Sequence, residues 1–239
     1  MSSEAVDGWV ADLGKSDSAA QEALEQLSKL VNTKQIGAKK AEAGRQLIDK
    51  AGGVAPIVRT VATTENLDVK EVGITCLIRL SAAPKSAQIR SDLVEAGGIP
   101  MLISALNGQN TGTADWSRVH HCAAGALGCL ASGDEASHEA VCDTDAIQAL
   151  VDRFNATREV AVLQECCTAL ANISYTDPAA VTVIQDTGVM NNLLDWLRCD
   201  KEHEDINQEK LYALQDAICG VLLNMCTRSC SPGSHSGTI

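Results

Sequence analysis

Aromatic and proline residues are scarce in this chain. Its 239 residues include three Trp, two Tyr, one Phe and five Pro. The strands of β-sandwiches and barrels favour aromatic and β-branched side chains, so this composition counts against an all-β fold. Few prolines leave room for long helices. With 45% hydrophobic residues and so few rings, the core must consist of Leu, Ile, Val and Ala.

The chain also lacks an excess of basic residues. It has 19 Lys and Arg against 31 Asp and Glu, which gives a net charge of −12. Nucleic-acid binders usually carry a basic patch, and an acidic surface repels phosphates and anionic lipid. We therefore expect no nucleic-acid partner, and the acidity favours a basic protein partner.

No secretory signal pattern and no apolar run of bilayer length occurs in the sequence. We therefore predict a cytoplasmic protein, with the nucleus as the alternative, and no membrane insertion. In a reducing compartment the ten cysteines are expected to be buried thiols that pack as small apolar groups. This includes the adjacent Cys166 and Cys167, whereas Cys230 is expected to be exposed and open to oxidation.

A short sequence motif, in which small residues precede an apolar run, recurs along the chain. It reads DKAGGVAPIV at 49–58, VEAGGIPMLI at 94–103, DTDAIQALV at 143–151 and QDTGVMNNLL at 185–194. Aligned copies are 45, 48 and 42 residues apart. Periods of about 40–47 residues are typical of helical solenoids. In this interpretation the longer loops at 108–114 and 200–206 explain the uneven period.

Each period is interpreted as a helix, a glycine corner, a short second helix and a longer third helix. Gly52 and Gly97 suit the corner because glycine adopts the left-handed conformation that closes a helix. Apolar residues at helical spacing predict five third helices, and the first unit lacks its first helix. Their expected ranges are about 17–31, 68–82, 115–131, 159–174 and 206–227.

The repeats resemble the armadillo family across roughly residues 5–227. In the best copy, AIQALVDRFNATREVAVLQECCTALANIS at 146–174, a short helix precedes a longer one that ends in Ala-Leu-x-Asn-Ile. The resemblance implies an all-α, right-handed α-solenoid of about five armadillo-like repeats. It implies one solenoid domain over 1–227, and the polar residues 228–239 are expected to form a disordered tail.

The resemblance also implies a binding groove along the third helices. In the family, an Asn near the end of each third helix holds the backbone of an extended peptide, and a Trp four residues earlier packs on its side chains. The Asn positions here are Lys29, Arg79, Cys129, Asn172 and Asn224. The Trp positions are Glu25, Thr75, Gly125, Thr168 and Gly220. One turn earlier lie Gln21, Glu71, His121, Gln164 and Asp216.

The absence of Trp, and the charges of Lys29 and Arg79, count against an importin-like mode of binding basic peptides. The candidate partner-binding residues are Asn172, Asn224, Gln164, Thr168, Asp216, His121, Arg79 and Lys29. In the alternative interpretation, Asn172 and Asn224 instead form hydrogen bonds with backbone groups of neighbouring helices. The groove interpretation predicts that replacing both by Ala weakens binding with little loss of stability.

The resulting hypothesis is a non-catalytic scaffold that binds an extended segment or helix of a partner protein in its groove. Residues 159–227 also resemble a unit of the small-GTPase GDP-dissociation stimulator, so a GTPase regulator, either exchange factor or chaperone, is one alternative. A structural subunit of a larger assembly is the other. No nucleophile and base are placed together, so we predict no enzymatic activity, and we expect no cofactor.

Two short motifs partly resemble other kinds of site, a phosphate-binding loop and a metal site. Residues 8–16, GWVADLGKS, approach a phosphate-binding loop, but the spacing is one residue too long and the motif falls on a predicted helix and turn. His138 and Cys142 share one helical face and could bind a metal. The sequence places no third ligand, although His120, His121, Cys122 or Cys129 could supply one, and we assign no metal site.

Overall fold

The computed structural model describes residues 2–109, 115–198 and 206–229. Within these ranges the backbone forms fifteen helices: α1 (Ser3–Asp12), α2 (Asp17–Leu30), α3 (Thr33–Ile36), α4 (Ala38–Lys50), α5 (Val54–Thr63), α6 (Leu67–Ser81), α7 (Ala87–Glu95), α8 (Gly98–Asn107), α9 (Ser117–Ala131), α10 (Glu135–Cys142), α11 (Ala146–Ala156), α12 (Val160–Thr176), α13 (Pro178–Asp186), α14 (Met190–Leu197) and α15 (Gln208–Ser229). The predicted all-α class is confirmed.

The helices form five consecutive units, of which the first consists of α1 and α2 alone. The last and longest helix of each unit packs on its counterpart in the next, in the order α2, α6, α9, α12 and α15. These five third helices differ from their predicted bounds by at most two residues at either end. The first and second helices of each unit cover one side of this layer and leave the other side open.

Glycine closes three of the first helices in the left-handed conformation. Gly52 and Gly97 have φ angles of 62° and 80°, as the repeat predicts, and Gly188 has 70°. Gly98 follows the second corner and lies so close to α7 that an added Cβ would be 2.7 Å from the carbonyl oxygen of Leu93. The paired glycines therefore permit both the reversal and the close packing of the second helix.

The core is one continuous cluster of aliphatic side chains that runs through all five units. Each third helix contributes fully buried leucines to it, such as Leu24, Leu77, Leu127, Leu170 and Leu214. Because neighbouring units share this cluster, each unit buries its apolar stripe only by stacking on the next. This explains how a chain with so few aromatic residues builds its core.

The cysteines only partly follow their prediction. Cys166 and Cys167 are fully buried as expected, and burial raises the pKa of Cys166 to about 12, which leaves an inert thiol. The prediction is wrong for Cys219 and Cys226, which are exposed. Both lie on α15, and no described helix follows it to cover them. Cys230 lies outside the described residues.

Residues 8–16 form the end of α1 and the turn before α2, as the helix-and-turn interpretation predicts. Lys15 pairs with Asp12 of the same turn. Ser16 caps α2 by accepting a hydrogen bond from the Ala19 N–H at 3.3 Å. At the other end, α15 continues to Ser229, two residues beyond the predicted solenoid boundary. The predicted disordered tail from residue 230 onward, and the loop segments 110–114 and 199–205, lie outside the described residues.

Candidate functional site

All eight candidate residues lie on third helices, and the stacking of those helices places them on one layer. The groove positions are at least partly exposed at every unit, so they form a continuous surface on the open side of the solenoid. We call it the third-helix surface. It consists of three rows, which are Lys29, Arg79, Cys129, Asn172 and Asn224; Glu25, Thr75, Gly125, Thr168 and Gly220; and Gln21, Glu71, His121, Gln164 and Asp216.

The first row contains a repeated hydrogen bond between neighbouring third helices. Asn172 donates from Nδ2 to the carbonyl of Gly128 at 3.1 Å, and Asn224 donates from Nδ2 to that of Ala171 at 2.9 Å. Each acceptor directly precedes the row position of the preceding helix. Both asparagines therefore bind a neighbouring backbone, as the alternative to the peptide-holding role predicts.

Arg79 makes the corresponding contact at the other end of the row. Its Nη1 donates to the carbonyl of Ser28 at 3.3 Å and to the Ser28 hydroxyl at 2.6 Å. The guanidinium of Arg79 thus contacts α2. Lys29 lies 3.8 Å from Glu25 on its own helix. The charge of Lys29 is therefore partly compensated by Glu25, whereas Arg79 keeps its positive charge because its acceptors on α2 are neutral.

The asparagine amides keep one unused group each. A carbonyl only accepts hydrogen bonds, so the Nδ2 atoms of Asn172 and Asn224 must face the preceding helix. No hydrogen bond reaches either Oδ1 from any residue that the structure describes. Both oxygens can therefore accept an N–H group from a bound chain.

Two of the remaining candidates form hydrogen bonds within the protein, and the other two are described by their exposure. The Thr168 hydroxyl donates to the carbonyl of Gln164 on its own helix at 2.9 Å. His121 lies with Nδ1 3.3 Å from the carbonyl of Ala161, across the boundary between α9 and α12. Asp216 is exposed and Gln164 half-buried. Asp216 and Gln164 are thus better placed to contact a partner than Thr168.

Glu165 is a residue of this surface that the sequence interpretation missed. It projects from α12 toward α9, where an added Cβ on Gly125 would lie 3.2 Å from its Oε2. Burial raises the pKa of this carboxyl, and His121 lowers it only partly. No cation lies within ion-pair distance among residues 2–109, 115–198 and 206–229. Glu165 is therefore a half-buried carboxylate that forms no ion pair with the described residues and is only partly compensated by His121.

Gly125 gives the third-helix surface no side chain beside the carboxylate of Glu165. Two positions where the family has Trp are Gly125 and Gly220 here. An added Cβ on Gly220 would touch only the Ala171 side chain, at 3.6 Å. Gly125 therefore leaves the carboxylate of Glu165 without the ring that the family has at this position, whereas Gly220 lies against Ala171 of α12.

A cleft of about 940 Å³ adjoins the first row at Asn172. It lies between the ends of α9 and α12 and the helix α10. His138, Cys142 and Asp177 line one wall of the cleft. Of the third ligands that the sequence suggested for His138 and Cys142, none lies in the group: His120 bonds to the carbonyl of Gly108, and Asp177 takes the place instead.

Known structures with the same arrangement were found by comparison of the folds. A designed armadillo repeat protein in complex with the peptide (KR)4 superposes with a TM-score of 0.71 at 18% identity, covering 90% of this chain and 81% of that one. A computationally designed armadillo repeat protein for modular peptide recognition gives 0.70 at 16% identity, with 92% and 81% covered. Another designed armadillo repeat protein gives 0.68 at 18%, with 96% and 94% covered.

These matches show that the chain has the armadillo-repeat fold, as the resemblance implied. Neither a protein-family model nor a curated protein sequence matches the chain. The designed structures carry no description as GTPase regulators, so that alternative gains no support. None of the described helices combines the length and apolar character needed to cross a bilayer.

Proposed function

We propose that this protein is a non-catalytic scaffold that binds an extended basic segment of a partner protein across its third-helix surface. Two features support the backbone part of this binding. The Oδ1 atoms of Asn172 and Asn224 are open, and their Nδ2 bonds to the preceding helix fix the orientation of the amides. A preformed surface of this kind binds with little ordering cost on the receptor side.

Glu165 is the observation on which the basic character of the partner rests. A carboxylate that is half-buried without a cation is destabilised in the free protein. A Lys or Arg side chain that descends beside Gly125 would restore the lost solvation through a charge-assisted hydrogen bond. The net charge of −12 attracts such a segment from a distance.

The designed relative that binds (KR)4 makes this peptide a suitable first probe. Fluorescence polarisation with labelled (KR)4 and with the acidic peptide (ED)4 measures both affinity and charge selectivity. We expect (KR)4 to bind and (ED)4 not to bind. Since an acidic protein attracts any cationic peptide, the decisive comparison is between variants of equal charge.

The matched variants are Glu165→Gln and Glu95→Gln. Both remove one negative charge, but Glu95 lies exposed on α7, away from the third-helix surface. A hydrogen bond between charged groups contributes about 1.5–3 kcal/mol, so Glu165→Gln should weaken (KR)4 binding about tenfold or more. Glu95→Gln should leave it almost unchanged. Equal affinities of the two variants would refute the role of Glu165.

A second candidate function is that of a structural subunit, and the outer face of α15 favours it. Aligning Asn224 with Asn172 makes Leu223 and Tyr212 equivalent to Ala171 and Val160 of α12. Ala171 of α12 lies against α15, whose Asn224 donates to its carbonyl, and Val160 is buried, whereas Leu223 is 63% and Tyr212 61% exposed. The same surface that receives a helix in one unit is thus uncovered in the next among the described residues.

Sedimentation over a wide concentration range tests this second function for partners that are copies of the chain. A structural role through α15 predicts self-association that Leu223→Lys abolishes. Val183→Lys is the control, because Val183 is a 48% exposed apolar residue on α13. A wild-type protein that stays monomeric at high concentration would count against this function.

A further inference from the structure

His138 and Cys142 of α10 meet Asp177 at the wall of the cleft beside Asn172. One ligand atom from each of the three, an imidazole nitrogen, the thiol sulfur and a carboxylate oxygen, lies within 4.8 Å of the other two. The first two residues are one helical turn apart and so share a face of α10. Asp177 comes from the next unit, where it caps α13 by accepting a hydrogen bond from the Ala179 N–H at 2.8 Å.

The imidazole of His138 is held in an orientation that suits a metal ligand. Its Nδ1 lies 2.9 Å from the carbonyl of Ala131, so Nδ1 carries the proton and Nε2 is the basic nitrogen. Nε2 faces the sulfur of Cys142 at 3.4 Å. A histidine that donates from one nitrogen to a backbone carbonyl is the usual arrangement at metal sites, because the carbonyl fixes the tautomer and the ring.

The spacing of the donor atoms matches a tetrahedral ion. Zinc binds thiolate at about 2.3 Å and imidazole at about 2.0 Å, which at the tetrahedral angle separates sulfur from nitrogen by about 3.5 Å. The observed 3.4 Å is close to this value. The mixture of nitrogen, sulfur and oxygen donors suits Zn²⁺ and disfavours Ca²⁺ or Mg²⁺, which prefer oxygen alone.

We propose that His138, Cys142 and Asp177 bind one Zn²⁺ ion, with its fourth coordination position open to the cleft. The charges around the site support a cation there. The carboxylates of Glu139 and Asp143 line the same cleft as the three ligands. Zn²⁺ binding displaces the thiol proton and ties α10 to the start of α13, across the boundary between the fourth and fifth units.

Cobalt absorption tests this site directly, because thiolate-bound Co²⁺ gives an intense charge-transfer band. The parent protein should carry Ser at four cysteines outside the site, which are Cys199, Cys219, Cys226 and Cys230. We expect one Co²⁺ per chain with a thiolate band, displaced by one equivalent of Zn²⁺. Zn²⁺ should also raise the unfolding temperature of this parent, since a ligand that binds only the folded state stabilises it.

Three variants test the ligands one by one. Cys142→Ser should abolish the thiolate band. Asp177→Asn should lower the affinity at least tenfold while it retains the α13 cap, because Asn caps helices as well as Asp does. His138→Gln should lower it at least as much. Circular dichroism without metal checks that each variant is folded.

Two results would overturn the proposal. The first is a parent protein that shows no thiolate band with Co²⁺. The second is a band of equal intensity in Cys142→Ser, which would place the metal on another cysteine. The metal measurements use no peptide, so their outcome is independent of the binding of (KR)4 to the third-helix surface.

Discussion

Asn172 and Asn224 make the same hydrogen bond one unit apart, each from its amide nitrogen to a backbone carbonyl of the preceding third helix, at 3.1 and 2.9 Å. Under the proposed function, the repetition gives these side chains two roles at once. The nitrogen joins adjacent units, and the oxygen remains open toward a partner. The proposed function therefore couples stability to binding at these positions.

Replacing both asparagines by Ala should weaken partner binding and also lower stability. Each lost hydrogen bond costs about 0.5–1.5 kcal/mol, so the double variant should lose about 1–3 kcal/mol of unfolding free energy. This is a larger loss than the sequence interpretation predicts, because the sequence did not show the bonds between the helices. Urea denaturation measures the change. Asn192→Ala is the control, since its bond to Asn155 is at the exposed surface, and it should cost little.

The bounds of the third helices could be predicted closely from the sequence, because the patterns that indicate them are local. Apolar spacing and the glycine corners at Gly52 and Gly97 depend only on nearby residues. Asn172 was found in the same way, from its place in the Ala-Leu-x-Asn-Ile ending. These features could be read without knowing which helices touch.

The site residues that the sequence did not predict, Glu165 and Asp177, depend on contacts between segments that are far apart in the chain. Glu165 is half-buried where its carboxylate lies against Gly125 of α9. Asp177 reaches Cys142 only because the start of α13 packs near α10. Neither relationship has a signature in spacing. The exposure of Cys219 was also mispredicted for this reason, since it depends on what covers α15.

Two helical glycines should respond oppositely to substitution by Ala. At Gly44 in α4 an added Cβ would lie 2.2 Å from the carbonyl oxygen of Leu30, and this backbone atom cannot move aside easily. At Gly8 in α1 an added Cβ would meet no atom within 4 Å apart from its neighbours in the chain and the backbone of its own helix. Gly44→Ala should destabilise by about 1–3 kcal/mol, and Gly8→Ala should stabilise by about 0.5–1 kcal/mol. Denaturation midpoints compare the two, and stabilisation by Gly44→Ala would contradict the close contact of α4 with α2.

Glu165→Gln should leave stability unchanged or raise it, although it weakens binding. Burial raises the pKa of this carboxyl in the folded protein, so the folded state binds its proton more tightly than the unfolded chain does. As pH rises through the folded pKa, the ionised group costs stability, and a neutral Gln does not. Thermal unfolding at pH 7 checks this. A clearly destabilised Glu165→Gln would show that Glu165 has an internal structural role instead.

His120 should make the protein sensitive to mild acid. Burial, and then Arg153, lower its pKa to about 4, and its Nε2–H donates to the carbonyl of Gly108 at 2.8 Å. Between pH 6.5 and 4 the unfolded chain takes up a proton at this residue and the folded protein does not. Stability therefore falls as pH decreases through this window, by about 1.4 kcal/mol per unit from this group.

The variant His120→Gln isolates this contribution. Gln has no titration in this range, and its amide can still donate to Gly108. The difference in unfolding free energy between wild type and variant, measured in urea from pH 7 to 4.5, should shift in favour of the variant as the pH falls. Carboxylates that titrate near pH 4 contribute equally to both proteins and cancel. A difference independent of pH would mean that His120 has the same pKa in the folded protein as in the unfolded chain.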